Sequence, residues 1–108
     1  MDCDSINNLK LKPGEQLFTT TSIIPKINNV DLSKMKFNKL YLLYFSSSSL
    51  GNYGIAFPIS GEIFRGTIAH GSSPKTVIIE INKKLSTIEF FGNLENVNSF
   101  NICEILFF

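Results

Sequence analysis

The C-terminal half of the chain is a series of short apolar runs separated by residues that form turns. From residue 54 to residue 108 these runs are GIAFPI, EIFRGTIA, KTVIIEI, KLSTIEFF and FNICEILFF. They are rich in Ile, Val, Thr and Phe, which pack well on a pleated, half-buried surface. The breaks between them carry Gly, Asn, Ser and Pro, which tolerate turn geometry or end strand pairing. This pattern predicts a small all-β domain.

The same pattern predicts about seven strands in the whole chain. They span residues 16–24, 39–46, 55–59, 62–69, 75–81, 85–91 and 100–107. With no long helix between them, seven strands predict an antiparallel β-sandwich or jelly-roll-like domain. At 108 residues the chain is expected to be one domain, with a polar lead-in at 1–14 and the sandwich at 15–108.

The connections between the strands are less regular. Residues 26–38 are predicted to be a loop with one helical turn capped by Asp31, and residues 46–54, rich in Ser and Gly, a long exposed loop. Two hairpins are predicted. One joins the strands at 55–59 and 62–69 through Ser60 and Gly61, and the other joins 75–81 to 85–91.

The apolar positions also predict the core. The strand at 39–46 is apolar almost throughout, so it should be central and covered on both faces. The side chains expected in the core are Leu42, Phe45, Val77, Ile79, Ile81, Ile88 and Phe90.

The chain has ten Phe residues, which give it more apolar surface than a single domain of this size can readily bury. We therefore expect a homo-oligomer, with the terminal strand as its contact through Phe100, Phe107 and Phe108. The alternative is an aromatic-rich core within one chain.

Charge is sparse and balanced. Lys and Arg number 10, Asp and Glu number 9, and 18% of residues are charged, so no basic footprint for nucleic acid is expected. Lys34, Lys36 and Lys39 form one local cluster, which indicates a solvated loop or, alternatively, a phosphate contact. The N-terminus lacks the basic and apolar regions of a signal peptide, and no apolar run is long enough to span a bilayer.

The chain offers little for catalysis. Its single histidine, His70, lies in a predicted turn beside Ser72 and Ser73, where short polar residues are common. A carboxylate pair among its strand glutamates is the alternative site, of the glycosidase kind, but exposed strand positions are ordinary for Glu. Cys3 and Cys103 lack the spacing of a zinc site, and we expect free thiols, with a disulfide left open. We expect no enzyme activity, no metal and no cofactor.

Four residues in or near the predicted loops are candidate ligand contacts: Asn52, Tyr53, Arg65 and His70. Tyr supplies a flat ring with a polar tip, Arg a fixed fork of donors, and Asn paired donors and acceptors. Arg65 is the sole arginine. The residues favour the alternative that it forms an ion pair with a Glu on the neighbouring strand.

The order of these features resembles a known family. A Thr-rich strand at 18–24, an apolar strand at 40–45, a Ser/Asn loop at 46–52, the segment Ala56-Phe57-Pro58-Ile59 and a terminal Ile-rich strand follow one another. This order is similar to that of the C-terminal receptor-binding heads of bacteriophage tail fibres. The resemblance implies a viral structural protein, with a trimer favoured, that binds a host surface glycan or protein and resides in the virion tail.

A second hypothesis comes from a different class of protein. Phage-like genomes also encode small inhibitors of this length, so the chain would instead sequester a host defence factor in the host cytoplasm.

Overall fold

The structure, a computed structural model, describes residues 12–36, 39–47, 51–70 and 75–107. Within these ranges eight strands form two antiparallel sheets that pack face to face, which confirms the predicted β-sandwich. The strands are β1 (Lys12–Thr20), β2 (Lys26–Ile27), β3 (Leu40–Ser47), β4 (Gly51–Pro58), β5 (Ile63–His70), β6 (Lys75–Asn82), β7 (Thr87–Gly92) and β8 (Val97–Phe107).

The strand order of each described sheet separates neighbours in sequence. Sheet A has the order β1-β8-β3-β4, and sheet B has the order β2-β7-β6-β5. Strand β8 therefore lies between β1 and β3, in the centre of its sheet. Strands β4 and β5 follow one another along the chain but lie at the edges of different sheets.

One of the two predicted hairpins is confirmed and the other is wrong. Strands β6 and β7 pair in unbroken register from Val77 to Asn82, as predicted. At Ser60 and Gly61, by contrast, the chain crosses from sheet A to sheet B, because β4 pairs with β3 and β5 pairs with β6. Ile59, 1% exposed, lies in the core at this point, and its burial favours the crossing from one sheet to the other.

The predicted long loop at 46–54 is also wrong. Strand β4 begins at Gly51, where it pairs with Ser47, and its register with β3 is unbroken to Pro58. The reason is packing: Tyr53 and Ile55 face inward against the core, which favours strand geometry in a segment whose Ser, Gly and Asn content indicates a loop. Residues 48–50 lie outside the described ranges.

Two predictions for the N-terminal third of the chain also differ from the structure. Strand β1 begins at Lys12, inside the predicted lead-in, and residues 1–11 lie outside the description. Asp31 does not cap a helix. Its carboxylate accepts hydrogen bonds from the Ser33 backbone N–H at 3.0 Å and the Ser33 hydroxyl at 2.6 Å, which forms a turn.

The core lies between the sheets and has an aromatic centre. Phe100 on β8 lies 5.1 Å from Phe45 on β3 and 5.0 Å from Phe90 on β7, measured between ring centroids. Phe100 is 0% exposed, so it offers no side-chain surface to a second copy, contrary to its predicted role. The Phe107 side chain and Phe108 lie outside the described part of the chain.

All seven predicted core residues are buried, but one of them belongs to a separate cluster. Leu42 lies on the outer face of sheet A with Tyr44, Cys103 and Ile105, and all four side chains are buried. Strand β3 is thus covered on both faces, as predicted. Cys103 is disulfide-bonded, so the expectation of free thiols is wrong; Cys3 lies outside the described residues.

Candidate binding face

The two outer faces of the sandwich differ in exposure. The centre of the outer face of sheet A is buried at β3 and β8. In the described residues the exposed large apolar side chains all lie in sheet B or in segments next to its strands. They are Ile24, Ile63, Leu85 and Phe91. Accessible apolar surface is therefore concentrated on and around sheet B.

Strand alternation selects the residues that form this surface. In β5, Phe64, Gly66 and Ile68 face sheet A, so their neighbours face outward, and the same parity applies along β6 and β7. We call the outward set the binding face. Its members are Ile63, Arg65, Thr67, Ile78, Glu80, Glu89 and Phe91.

A row of charged residues crosses the binding face. Arg65 pairs in register with Glu80, Glu80 with Glu89, and Glu89 with Lys26 on β2. Like charges directly opposite each other, such as the two glutamates, destabilise a sheet. The cations at the two ends of the row offset this repulsion, so the row is balanced as a unit.

Arg65 is held by two contacts on this face. Its Nε lies 3.5 Å from Glu80 Oε2, and its guanidinium carbon lies 5.3 Å from the centroid of the Phe91 ring. The Arg65 side chain is nevertheless 60% exposed. A guanidinium carries five N–H donors, so the terminal nitrogens remain for a ligand.

The residues on the inward side of β5 help to position the strand that carries Arg65. A Cβ atom at Gly66 would lie 2.8 Å from the Phe64 ring and 2.8 Å from Ile55, so a larger residue there would displace these two side chains. Phe64 therefore packs over its own strand and against sheet A. This contact fixes the strand that carries Arg65.

Two of the four predicted ligand contacts, Tyr53 and Arg65, lie on different faces of the sandwich. Tyr53 faces inward, with its ring 5.6 Å from that of Phe45, and burial raises its pKa. Arg65 faces outward on the other sheet. Asn52 pairs with Ser46 near the start of β4, and His70 is the last residue of β5. The side chains of Asn52 and His70 lie outside the description.

The sequence predicts a glutamate partner for Arg65 without identifying Glu80, and it does not predict the Phe91 contact. Glu80 was recognisable as an outward position, because it alternates with Ile79 and Ile81, which the pattern places in the core. The Phe91 contact depends on the register of three strands. That register is set by the crossover after β4, which local sequence does not reveal.

The alternative phosphate contact is not favoured by the lysine geometry. Lys34 forms an ion pair with Glu15 at 2.7 Å, and this hydrogen bond raises the Lys34 pKa. Lys36 Nζ donates to the Ser33 carbonyl at 3.0 Å, and Lys39 lies 4.0 Å from Glu104. Each ammonium group already has a neighbour, as in a solvated loop.

The described residues hold neither a cluster of metal ligands nor a membrane-spanning helix. In these ranges no three His, Cys, Asp or Glu side chains lie where they would hold a metal ion together. No helix in the same ranges has the length and apolar character needed to cross a membrane.

Comparison with known proteins adds no family to this picture. No family model, no curated protein and no solved structure matches the chain. Inference about function therefore depends on the geometry of the binding face and on the sequence pattern.

Proposed function

We propose that this chain is a non-enzymatic receptor-binding module of a virion and that it contacts a host surface glycan or protein through the binding face. This proposal depends mainly on the position and contacts of the Arg65 side chain. It is exposed, yet Glu80 and the Phe91 ring hold it in place.

The chemistry of the face suits recognition. Arg and aromatic residues contribute most of the energy in many interfaces, and an exposed apolar neighbour such as Ile63, 59% exposed, adds contact area. Binding also costs less when a side chain is already ordered before the partner arrives. The Arg65 fork therefore needs little rearrangement to accept a carboxylate, hydroxyl or carbonyl oxygen of a ligand.

The virion assignment has separate support, which is the resemblance of the sequence to phage tail-fibre heads. Those heads bind host surfaces, and assembly into a homo-oligomer is part of this proposal, while the trimer that the resemblance favours stays a prediction. The predicted ligand contacts at Asn52 and His70 stay predictions. We now place the main contact on the outer face of sheet B.

The test is binding of the purified protein to a panel of bacterial cells and to a glycan array. Arg65→Ala should abolish binding, because it removes the donor fork, while Arg65→Lys should restore only part of it. Two matched controls should bind as the wild type does. Lys34→Ala removes another exposed, ion-paired cation, and Tyr53→Phe alters a residue that faces the core.

Two results would contradict the proposal. One is full binding by Arg65→Ala, which would move the site off the binding face. The other is a wild type that binds no cell and no glycan, which would remove the receptor-binding role.

A further inference from the structure

Among the described residues, the sandwich has four edge strands, two on each sheet. Strands β1 and β4 bound sheet A, and β2 and β5 bound sheet B. An edge strand presents unpaired N–H and C=O groups that pair readily with another chain, so proteins commonly blunt their edges with proline, bulges, charges or short strands.

Three of the four edges are blunted by proline, by bulges or by short length. Strand β1 contains Pro13 and has three register shifts against β8. Strand β2 has two residues. Strand β4 ends in Pro58, which cannot donate a backbone hydrogen bond, and it contains Gly51 and Gly54.

Strand β5 has only one of these protections, the charge of Arg65. Its sequence, IFRGTIAH, contains no proline, lysine or acid, and its eight residues pair with β6 in unbroken register. Ile63, Arg65, Thr67 and Ala69 are all exposed. In the described part of the chain, no strand pairs with the outer edge of β5.

The sequence of β5 is also compatible with pairing to itself. Inward residues must face inward residues in an antiparallel pair if both sandwiches are to keep their cores. The two registers that align nearly the whole strand place either Gly66 or Thr67 opposite its own copy. Arg65 then faces Thr67 or Ala69 of the second copy, so two like charges are never directly opposite.

We propose that two copies of this chain associate through antiparallel pairing of β5 with β5. The twofold dimer has one continuous sheet across both sandwiches, and its outer surface joins the two binding faces. With 18% charged residues and a net charge of +1, the copies repel each other little. This twofold contact differs from the threefold assembly that the family resemblance implies, and it does not rest on the proposed function.

The first test is size-exclusion chromatography with light scattering over a range of concentrations. The wild type should have twice the 12.1 kDa chain mass. Thr67→Lys should halve that mass, because the introduced lysine would lie opposite Arg65 in one register and opposite its own copy in the other. The matched control is Ala56→Lys, the same kind of change at an exposed position of the β4 edge, and it should remain dimeric.

A monomeric or trimeric wild type would overturn the proposal. So would dissociation by Ala56→Lys with Thr67→Lys still dimeric, since the interface would then be the edge of sheet A. Circular dichroism and melting curves check that each variant is folded.

The second test needs no variant, so it decides the matter even if Thr67→Lys fails to fold. Hydrogen exchange of the wild type is compared between dilute and concentrated samples. Amides of β5 should exchange several-fold more slowly in the concentrated sample, while those of the β1 edge should not change. Equal β5 exchange at both concentrations would overturn the proposal.

Discussion

The ring of Phe57 on β4 stacks on the ring of Phe64 on β5, with the centroids 3.6 Å apart and the planes at 16°. The two strands belong to different sheets and are joined by the crossover at Ser60 and Gly61. The stacked pair therefore links sheet A to sheet B at the point where the chain passes between them.

Removing one ring of this stack should weaken the whole domain. Phe64→Ala should lower the free energy of unfolding by about 3 kcal/mol, at the lower end for a Phe because the ring is half-buried. The control is Phe91→Ala, whose ring is 37% exposed, and it should cost about 1 kcal/mol or less. Urea denaturation measures both. Equal losses would mean that the stack does not link the sheets.

The face assignment of β6 can be tested with two adjacent residues. Ile79 is 0% exposed in the core, while Ile78 is half-buried on the binding face. Ile79→Ala should lower the free energy of unfolding by about 2–5 kcal/mol, and Ile78→Ala by about 1 kcal/mol. A larger loss from Ile78→Ala would show that the strand is turned over.

Two glycines should respond in opposite ways to alanine. Gly92 has a φ of +128°, and a Cβ there would press on the Thr76 carbonyl oxygen, so Gly92→Ala should cost about 1–3 kcal/mol. Gly61 has no atom within 4 Å of its Cβ position. Gly61→Ala should change stability by less than about 1 kcal/mol, in either direction. Thermal melting of the two variants measures the contrast, and similar melting temperatures would contradict it.

Tyr53 should make stability depend on pH in the alkaline range. Its pKa is raised above the ordinary value of 10.0 because burial disfavours the phenolate. The unfolded chain then loses this proton at a lower pH than the folded chain does. Stability from the buried phenol is full below about pH 10 and is lost as the pH rises through the folded pKa.

Tyr53→Phe removes this group and keeps the ring. Melting temperatures measured from pH 8 to about pH 11 should fall less steeply for the variant than for the wild type. All other residues are the same in the two proteins, so their contributions cancel in the comparison. Identical slopes would show that Tyr53 does not contribute to the alkaline loss.

The sequence reveals those parts of the fold that depend on local pattern. Strand alternation around Ile79 defines β6, and the short turn between β6 and β7 leaves a hairpin as the simplest connection. The apolar run in β3 likewise indicates cover on both faces. These features depend on residues close together in the chain.

The crossover after β4 depends on distant contacts instead. Ser60 and Gly61 suit a hairpin turn as well as a link between sheets, and the burial of Ile59 decides between them. The Ser, Gly and Asn neighbours of Tyr53 favour a loop, whereas its packing on Phe45 makes it part of a strand. The disulfide of Cys103 is equally invisible to residue spacing.

One contact of the candidate site also follows from local sequence pattern, whereas the other depends on distant strand pairing. The alternative favoured for Arg65, a strand arginine paired with a glutamate across the sheet, is confirmed by its contact with Glu80. Alternation alone was enough for that. The exposed Phe91 beneath the guanidinium followed only from the full register of sheet B.

The central position of β8 in sheet A has a consequence for synthesis on the ribosome. Strand β1 leaves the ribosome early, yet Thr19 on β1 hydrogen-bonds to Asn101 on β8, 82 positions later. Until β8 is translated, β1 has no neighbour among the described strands, and β3 lacks the strand on one of its sides. Strands β5, β6 and β7 pair with one another in sequence order and are not subject to this delay. A nascent chain stalled before β8 should therefore expose the apolar faces of sheet A and depend on chaperones.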